Sequence, residues 1–313
     1  MTQPITARSA TDLLSLVPYL LGFHLDRGLV VLVCTGRSVE LTMRFDLEMF
    51  SDNPVQVQAR FCHLAARFEH PRFFLAAYSA DRDEAESALA ILEQVLELDE
   101  VIESVYTDGE HWWSRLCDKE CCQRVPCDTA TAAVASAVLA GSSALGSRAE
   151  LERSVQGPSL VVQSQLLGAY AEASDRAAEL PDVLDRCDRV AELVTTGLEQ
   201  AGLGEVEACE LAKLVDQVGP RDEAWLLMQR PTARRHAALW HQVVGLVPDK
   251  WAVPPLCLLA AAAWLDGNGA LMGCALDRAH QLNPDYSMLG LLEQMRVAAV
   301  HPSMWEQIWP DSA

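Results

Sequence analysis

The densest group of residues able to do chemistry is Cys117, Cys121, Cys122 and Cys127, with His111 six residues upstream of the first. Four thiolates can hold a tetrahedral zinc ion. The gaps of three, none and four residues differ from paired C-x-x-C knuckles, however, and adjacent cysteines tend to direct their side chains apart. Three readings stay open: a zinc site made of these four residues, a redox-active or regulatory dithiol, and ordinary thiols with no cofactor. The other six cysteines, Cys34, Cys62, Cys187, Cys209, Cys257 and Cys274, stand singly within apolar patterns and read as inert thiols.

A second group lies in the loop Gly22-Phe23-His24-Leu25-Asp26-Arg27-Gly28. There His24, Asp26 and Arg27 could converge as acid, base and anion clamp at a sheet end, or simply make a charged turn. Trp113, beside His111 and Trp112, could stack a planar ligand or fill a strand edge. His24, Asp26, Arg27 and Trp113 are therefore the candidate ligand-binding residues. An enzyme or metal-dependent regulator would have its site where their loop meets Trp113–Cys122. Arg44 and Asp46 alternate along one strand and read as a structural ion pair. Asp222, after Arg221, reads as a helix-start carboxylate favoured by the helix dipole. No glycine-rich phosphate loop, nucleophile elbow or H-E-x-x-H occurs, so no catalytic residue is assigned.

The elements that must position these groups follow from periodicity. A helix is expected at Thr11–Tyr19, capped by Ser9 or Thr11. The β-branched runs Leu29–Cys34 and Val39–Phe45 form a hairpin through Thr35-Gly36-Arg37-Ser38. A helix over 54–68, a strand over 73–78, a helix over 83–98 and a strand over 101–106 complete an α/β pattern with a mixed sheet. His111–Ser114 reads as a further edge strand. After Cys127 the periods are helical, with Asp128 expected to cap an Ala-rich helix. The fold class is α+β: an α/β domain over 1–145 that ends in the cysteine cluster, then an all-helical domain over 146–313.

Within the helical part, residues from about 217 to 300 resemble tetratricopeptide repeats. With Pro284 closing a 34-residue unit begun at Val253, the packing positions are Leu256, Leu259, Ala260, Ala263, Met272, Leu276 and Ala279. Asp266-Gly267 falls at the inter-helix turn. Small side chains at Ala260 and Ala279 suit two close antiparallel helices with a groove beside them. The preceding unit, ending at Pro248, fits at Ala224, Leu227 and Trp240 but not at His236.

The 313 residues carry a net charge of −20. Segments 81–103 and 172–210 contribute −8 each, on amphipathic helices. That balance disfavours nucleic acid and anionic membranes as partners. The N-terminus lacks the pattern of a signal peptide, and no apolar run is long enough to span a bilayer, so a cytoplasmic location is expected.

Over most of its length the chain resembles an actinobacterial family known as domain of unknown function 4192. The matching stretches begin with Ala10-Thr11-Asp12-Leu13-Leu14, Val17–His24, Leu29–Val33 and Arg44-Phe45-Asp46-Leu47. They continue with Trp113-Ser114, Cys117 and Cys121-Cys122. In the helical part they are Arg221-Asp222, Ala263-Trp264-Leu265, Gly267, Gly269-Ala270, Ala275-Leu276 and Asn283-Pro284-Asp285-Tyr286. The family usually has proline after the histidine, where this chain has Leu25, and serine where it has Gly28. It usually follows the cysteine pair with Pro and Gly, which marks Cys127 as peculiar to this chain. The resemblance implies a cytoplasmic actinobacterial or resident-phage origin and no assigned activity. Taken together, a non-enzymatic module that binds a protein or peptide is the leading expectation, and a zinc- or thiol-dependent protein is the alternative.

Overall fold

The computed structural model describes residues 5–117, 119 and 124–308. It divides into two compact units, Met1–Arg148 and Ala149–Ala313.

The first unit is built on a mixed six-stranded sheet. Helix α1 (Ala10–Leu21) starts where the Ser9 hydroxyl accepts the Asp12 N–H and stops at Gly22, whose φ of 81° is left-handed. Strand β1 (Gly28–Thr35) pairs with β2 (Ser38–Phe45) through the expected tight turn. Helices α2 (Glu48–Asp52) and α3 (Pro54–Ala65) then lead to β3 (Arg72–Tyr78), and α4 (Arg82–Glu93) leads to β4 (Val101–Thr107). Strands β5 (His111–Ser114) and β6 (Val125–Pro126) complete the order β2-β1-β3-β4-β5-β6. Neighbours are antiparallel except β3 and β4.

Leu29 to Val33 are wholly buried, as expected for a strand enclosed on both faces rather than one alternating between core and water. Because β1 lies between β2 and β3 with the opposite polarity, β2, β3 and β4 all run the same way. Their carboxyl ends therefore share one edge with the loop that enters β1. Helix α5 (Ala132–Leu139) packs on α1. Its cap is Thr131, not Asp128: the Thr131 side chain accepts the Val134 N–H, whereas Asp128 accepts from Ala130 in the preceding turn.

The second unit is helical: α6 (Arg148–Ser154), α7 (Leu160–Gln165), α8 (Leu167–Glu179), α9 (Val183–Glu199), α10 (Glu205–Leu214), α11 (Val218–Leu226) and α12 (Ala233–Leu246), followed by α13 (Asp249–Leu265), α14 (Gly269–Leu282), α15 (Ser287–Val297) and α16 (Ser303–Ile308). The expected hairpin is present. Gly267 at φ 79° turns the chain, and the Asn268 side chain caps α14 through the Leu271 N–H. Leu256, Leu259, Ala260, Ala263, Met272, Leu276 and Ala279 are all buried.

One expectation about this hairpin is corrected. Helix α13 begins before Val253 and packs against α10, α11, α12, α14 and α15, so its surface is filled by the chain itself rather than left as a groove. Across α8, α9 and α10, the buried Glu210 carboxylate takes a two-pronged bond from Arg189 at 2.8 and 3.0 Å. Arg176 lies 3.6 Å from the same carboxylate. The Gln242 side chain clamps the α9–α10 turn by bonding both the N–H and the carbonyl of Leu203, at 3.0 and 2.8 Å.

His236 on α12 is fully buried, and neither ring nitrogen has a close hydrogen-bond partner. Burial outweighs the nearby Leu227 backbone and holds the imidazole down to about 4, from an ordinary 6.5. The folded chain thus keeps His236 neutral where the unfolded chain takes up a proton. Stability should fall as pH drops through that window and level off below it. The stability difference between wild type and His236→Leu should shift against the wild type by about 3 kcal/mol from about pH 7 to about pH 4, measured by chemical unfolding.

Candidate functional site

Arg27 precedes Gly28, which pairs with Tyr78, so its guanidinium sits at the carboxyl-end edge of the sheet. It donates to Glu48 of α2 and to Glu84 of α4. Glu84 also accepts from the Ser79 hydroxyl at 2.9 Å. The guanidinium holds both carboxyls below their ordinary range. Arg27 thereby ties the start of β1 to two helices, and its bonds go to these carboxylates rather than to His24 or Asp26. Those two side chains are exposed, and the His24 backbone N–H donates to the Leu145 carbonyl at 2.9 Å. Among the described residues no hydrogen bond joins the His24 or Asp26 side chain to Arg27, and the loop has the form of the charged turn, the second of its two readings. Arg44 and Asp46 form the expected ion pair.

Trp113 stacks on Tyr106, with centroids 5.1 Å apart and planes 20° apart. The Arg82 guanidinium lies 5.9 Å from both rings, so the chain itself already covers much of this platform. Beyond Trp113 a polar network fixes the end of β5. The Ser114 hydroxyl accepts the Leu116 and Cys117 N–H groups at 3.2 and 3.1 Å and donates to Glu103 at 2.8 Å. Arg115 grips Glu93 at 2.9 and 3.0 Å, and the Ser104 hydroxyl donates to the same carboxylate at 2.6 Å. Despite burial, these donors hold the Glu93 carboxyl below its ordinary range.

Sequence reading missed this network because Glu93 and Arg115 are 22 residues apart and share no local pattern. Cys117 follows the Ser114 end of β5, whereas Cys127 lies at the His111 end, beside Pro126. Strand rise separates those ends by roughly 10 Å. Cys127 is half-buried, its sulfur 3.5 Å from the Thr107 hydroxyl, and burial pushes the thiol up, away from the thiolate that metals and electrophiles require. Cys121 and Cys122 lie outside the described residues. Among the described residues, no cluster of three or more His, Cys, Asp or Glu has the geometry of a metal site.

The helical unit holds a different site. A cleft of about 470 Å³ lies between α11, α15 and α16, lined among others by Arg221, Asp222, Trp225, Met288, Leu291 and Trp305. Arg221 is buried. It donates to Asp222 at 2.7 and 3.0 Å and to the Tyr286 hydroxyl at 3.1 Å, with its guanidinium 5.6 Å from the Tyr286 ring centroid. Asp222 therefore serves as the partner of Arg221, and it sits beyond the first turn of α11 rather than at the helix start.

Trp305 stacks on Trp225 at 5.4 Å and 18°, and meets Trp264 edge-on at 6.3 Å. Its indole N–H donates to the Met228 carbonyl at 2.9 Å, and that of Trp264 to the Val300 carbonyl at 2.7 Å. No periodicity links Trp225, Trp264 and Trp305. The only sequence signal was their concentration in the helical half.

The family model described as "Domain of unknown function (DUF4192)" matches residues 11–303. The chain belongs to this family. No curated protein and no solved structure matches it. Of the stretches that carry the likeness to DUF4192, Trp113-Ser114 feeds the network at the end of β5, Arg221-Asp222 lines the cleft, and Trp264 and Tyr286 contact its lining residues Trp305 and Arg221. Among the described residues, no helix is long and apolar enough to cross a membrane.

The two arginine clamps of the sheet unit should differ in weight. Glu93→Gln, which breaks a half-buried two-pronged pair, should lower stability by about 2 kcal/mol in thermal or chemical unfolding. Arg27→Ala, at an exposed clamp, should cost at most about 1 kcal/mol.

Proposed function

We propose that this chain works without catalysis, as a cytoplasmic interaction module whose helical unit receives a segment of another protein. The observation that supports this best is the cleft of about 470 Å³ beside α16, within the roughly 300–1,000 Å³ of many ligand sites. It joins apolar walls, Met288 and Leu291, to two tryptophans and an arginine, the residue types that dominate binding energy at protein interfaces. The Arg221 charge is matched by Asp222, so an apolar segment can settle there without stranding a cation. The α13–α14 hairpin supports a tetratricopeptide-like packing of this region, used here as a wall rather than as an open solenoid. A net charge of −20 favours a protein partner over nucleic acid or an anionic membrane.

A photo-crosslinking residue in place of the exposed Leu291 tests this reading in cells. One reproducible adduct is expected, lost when Met288→Asp is added and absent when the crosslinker replaces Leu139, which is 89% exposed in the other unit. Labelling at Leu291 no more specific than at Leu139 would contradict it.

A further inference from the structure

One wall of this cleft is the chain's own Trp305, and the contacts of that ring show what the seat recognises. Trp305 covers the face of Trp225, meets the edge of Trp264 and donates its indole N–H to the Met228 carbonyl. Tryptophan alone among the side chains offers both so large a ring and a donor on it. Its carrier, α16, has six residues, too few to hold a helix without tertiary contacts. The neighbouring Met304 is 41% exposed. The connection from α15 passes through Ala299, at a left-handed φ of 43°, and His301, whose ring bonds the Ser303 hydroxyl at 2.8 Å. Beside Trp305 the cleft stays open toward Leu226, Met288 and Leu291.

From this we infer that the cleft is a docking seat for a tryptophan-anchored helical segment of a partner protein, and that α16 holds the seat until such a segment displaces it. The inference rests on the interaction reading above and deepens it. The partner's tryptophan takes the place of Trp305 between Trp225 and Trp264. Apolar residues three and four positions along its helix fill the open cleft against Met288 and Leu291. A basic residue pairs with Asp222, whose side chain is 46% exposed at the cleft in a chain of net charge −20. A segment longer than the six residues of α16 extends along the open cleft beside Met288 and Leu291.

The test is binding in trans, using a fluorescent peptide of residues 298–308 and full-length chains. The peptide should bind Trp305→Ala at least about tenfold more tightly than wild type, whose own tail competes, a difference of about 1.4 kcal/mol. The same peptide carrying Trp305→Ala should not bind. Trp305→Phe, which keeps the ring but not the donor, should bind with intermediate affinity, and it replaces Trp305→Ala if circular dichroism shows the latter unfolded. Equal binding to wild type and variant, or binding to neither, would overturn the inference. Concentration-dependent dimers of wild type that exclude the peptide would assign the seat to a second copy and overturn the partner assignment. Peptide binding without a specific adduct at Leu291 would leave the seat standing and remove the interaction reading. A specific adduct without peptide binding would do the reverse.

Discussion

The helical unit depends on one packing constraint: α13 must be enclosed by five other helices and still present small surfaces to them. Fourteen of its seventeen residues are buried, including the run Ala260-Ala261-Ala262-Ala263. Ala275 and Ala279 of α14 are equally inaccessible. Alanine at these positions lets backbones approach closely, and a larger side chain would force helices apart at a cost of about 1–3 kcal/mol. Helices α11 and α15 both pack on α13, and the space between them is the cleft. The site is thus a consequence of core packing rather than of any local motif.

Electrostatics does the remaining positioning. Of the 24 basic residues, all but Lys119, Lys213 and Lys250 are arginine. The forked guanidinium suits what the structure asks of it. Arg27 joins Glu48 and Glu84, Arg115 grips Glu93, Arg189 grips Glu210, and Arg221 bridges Asp222 and Tyr286. Each clamp ties together segments that are distant along the chain or at a turn between elements. Most of the remaining carboxylates are exposed, on helices and loops alike, which leaves the molecule strongly acidic without an unpaired charge in these clamps.

Much of the scaffold was legible in the residues. The unbroken apolar run from Leu29 to Val33 announced an enclosed strand, the Gly36 turn set the hairpin register, and Ser9 and the Asp266-Gly267 pair marked real helix boundaries. Errors arose where two residues offered the same local chemistry. Asp128 and Thr131 are both good caps, and only the tertiary path of the chain chose the latter. The candidate sites were less legible. Spacing made the cysteines look like one cluster, but the pairing of β5 with β6 sends Cys117 and Cys127 to opposite ends of a strand. The cleft could not be read in advance, because Trp225, Trp264 and Trp305 meet only after three separate helices have packed.

Two helices of the helical unit differ in size and enclosure: α13 has seventeen residues, fourteen of them buried, whereas α16 has six. The displacement of α16 from the cleft needs this helix to open on its own. Native-state hydrogen exchange followed residue by residue measures that contrast directly. Amides of α13 should exchange only through global unfolding, while those of α16 should exchange through a far cheaper local opening that Trp305→Ala makes cheaper still. Equal protection of the two helices, or an α16 that opens only when the whole unit unfolds, would contradict it.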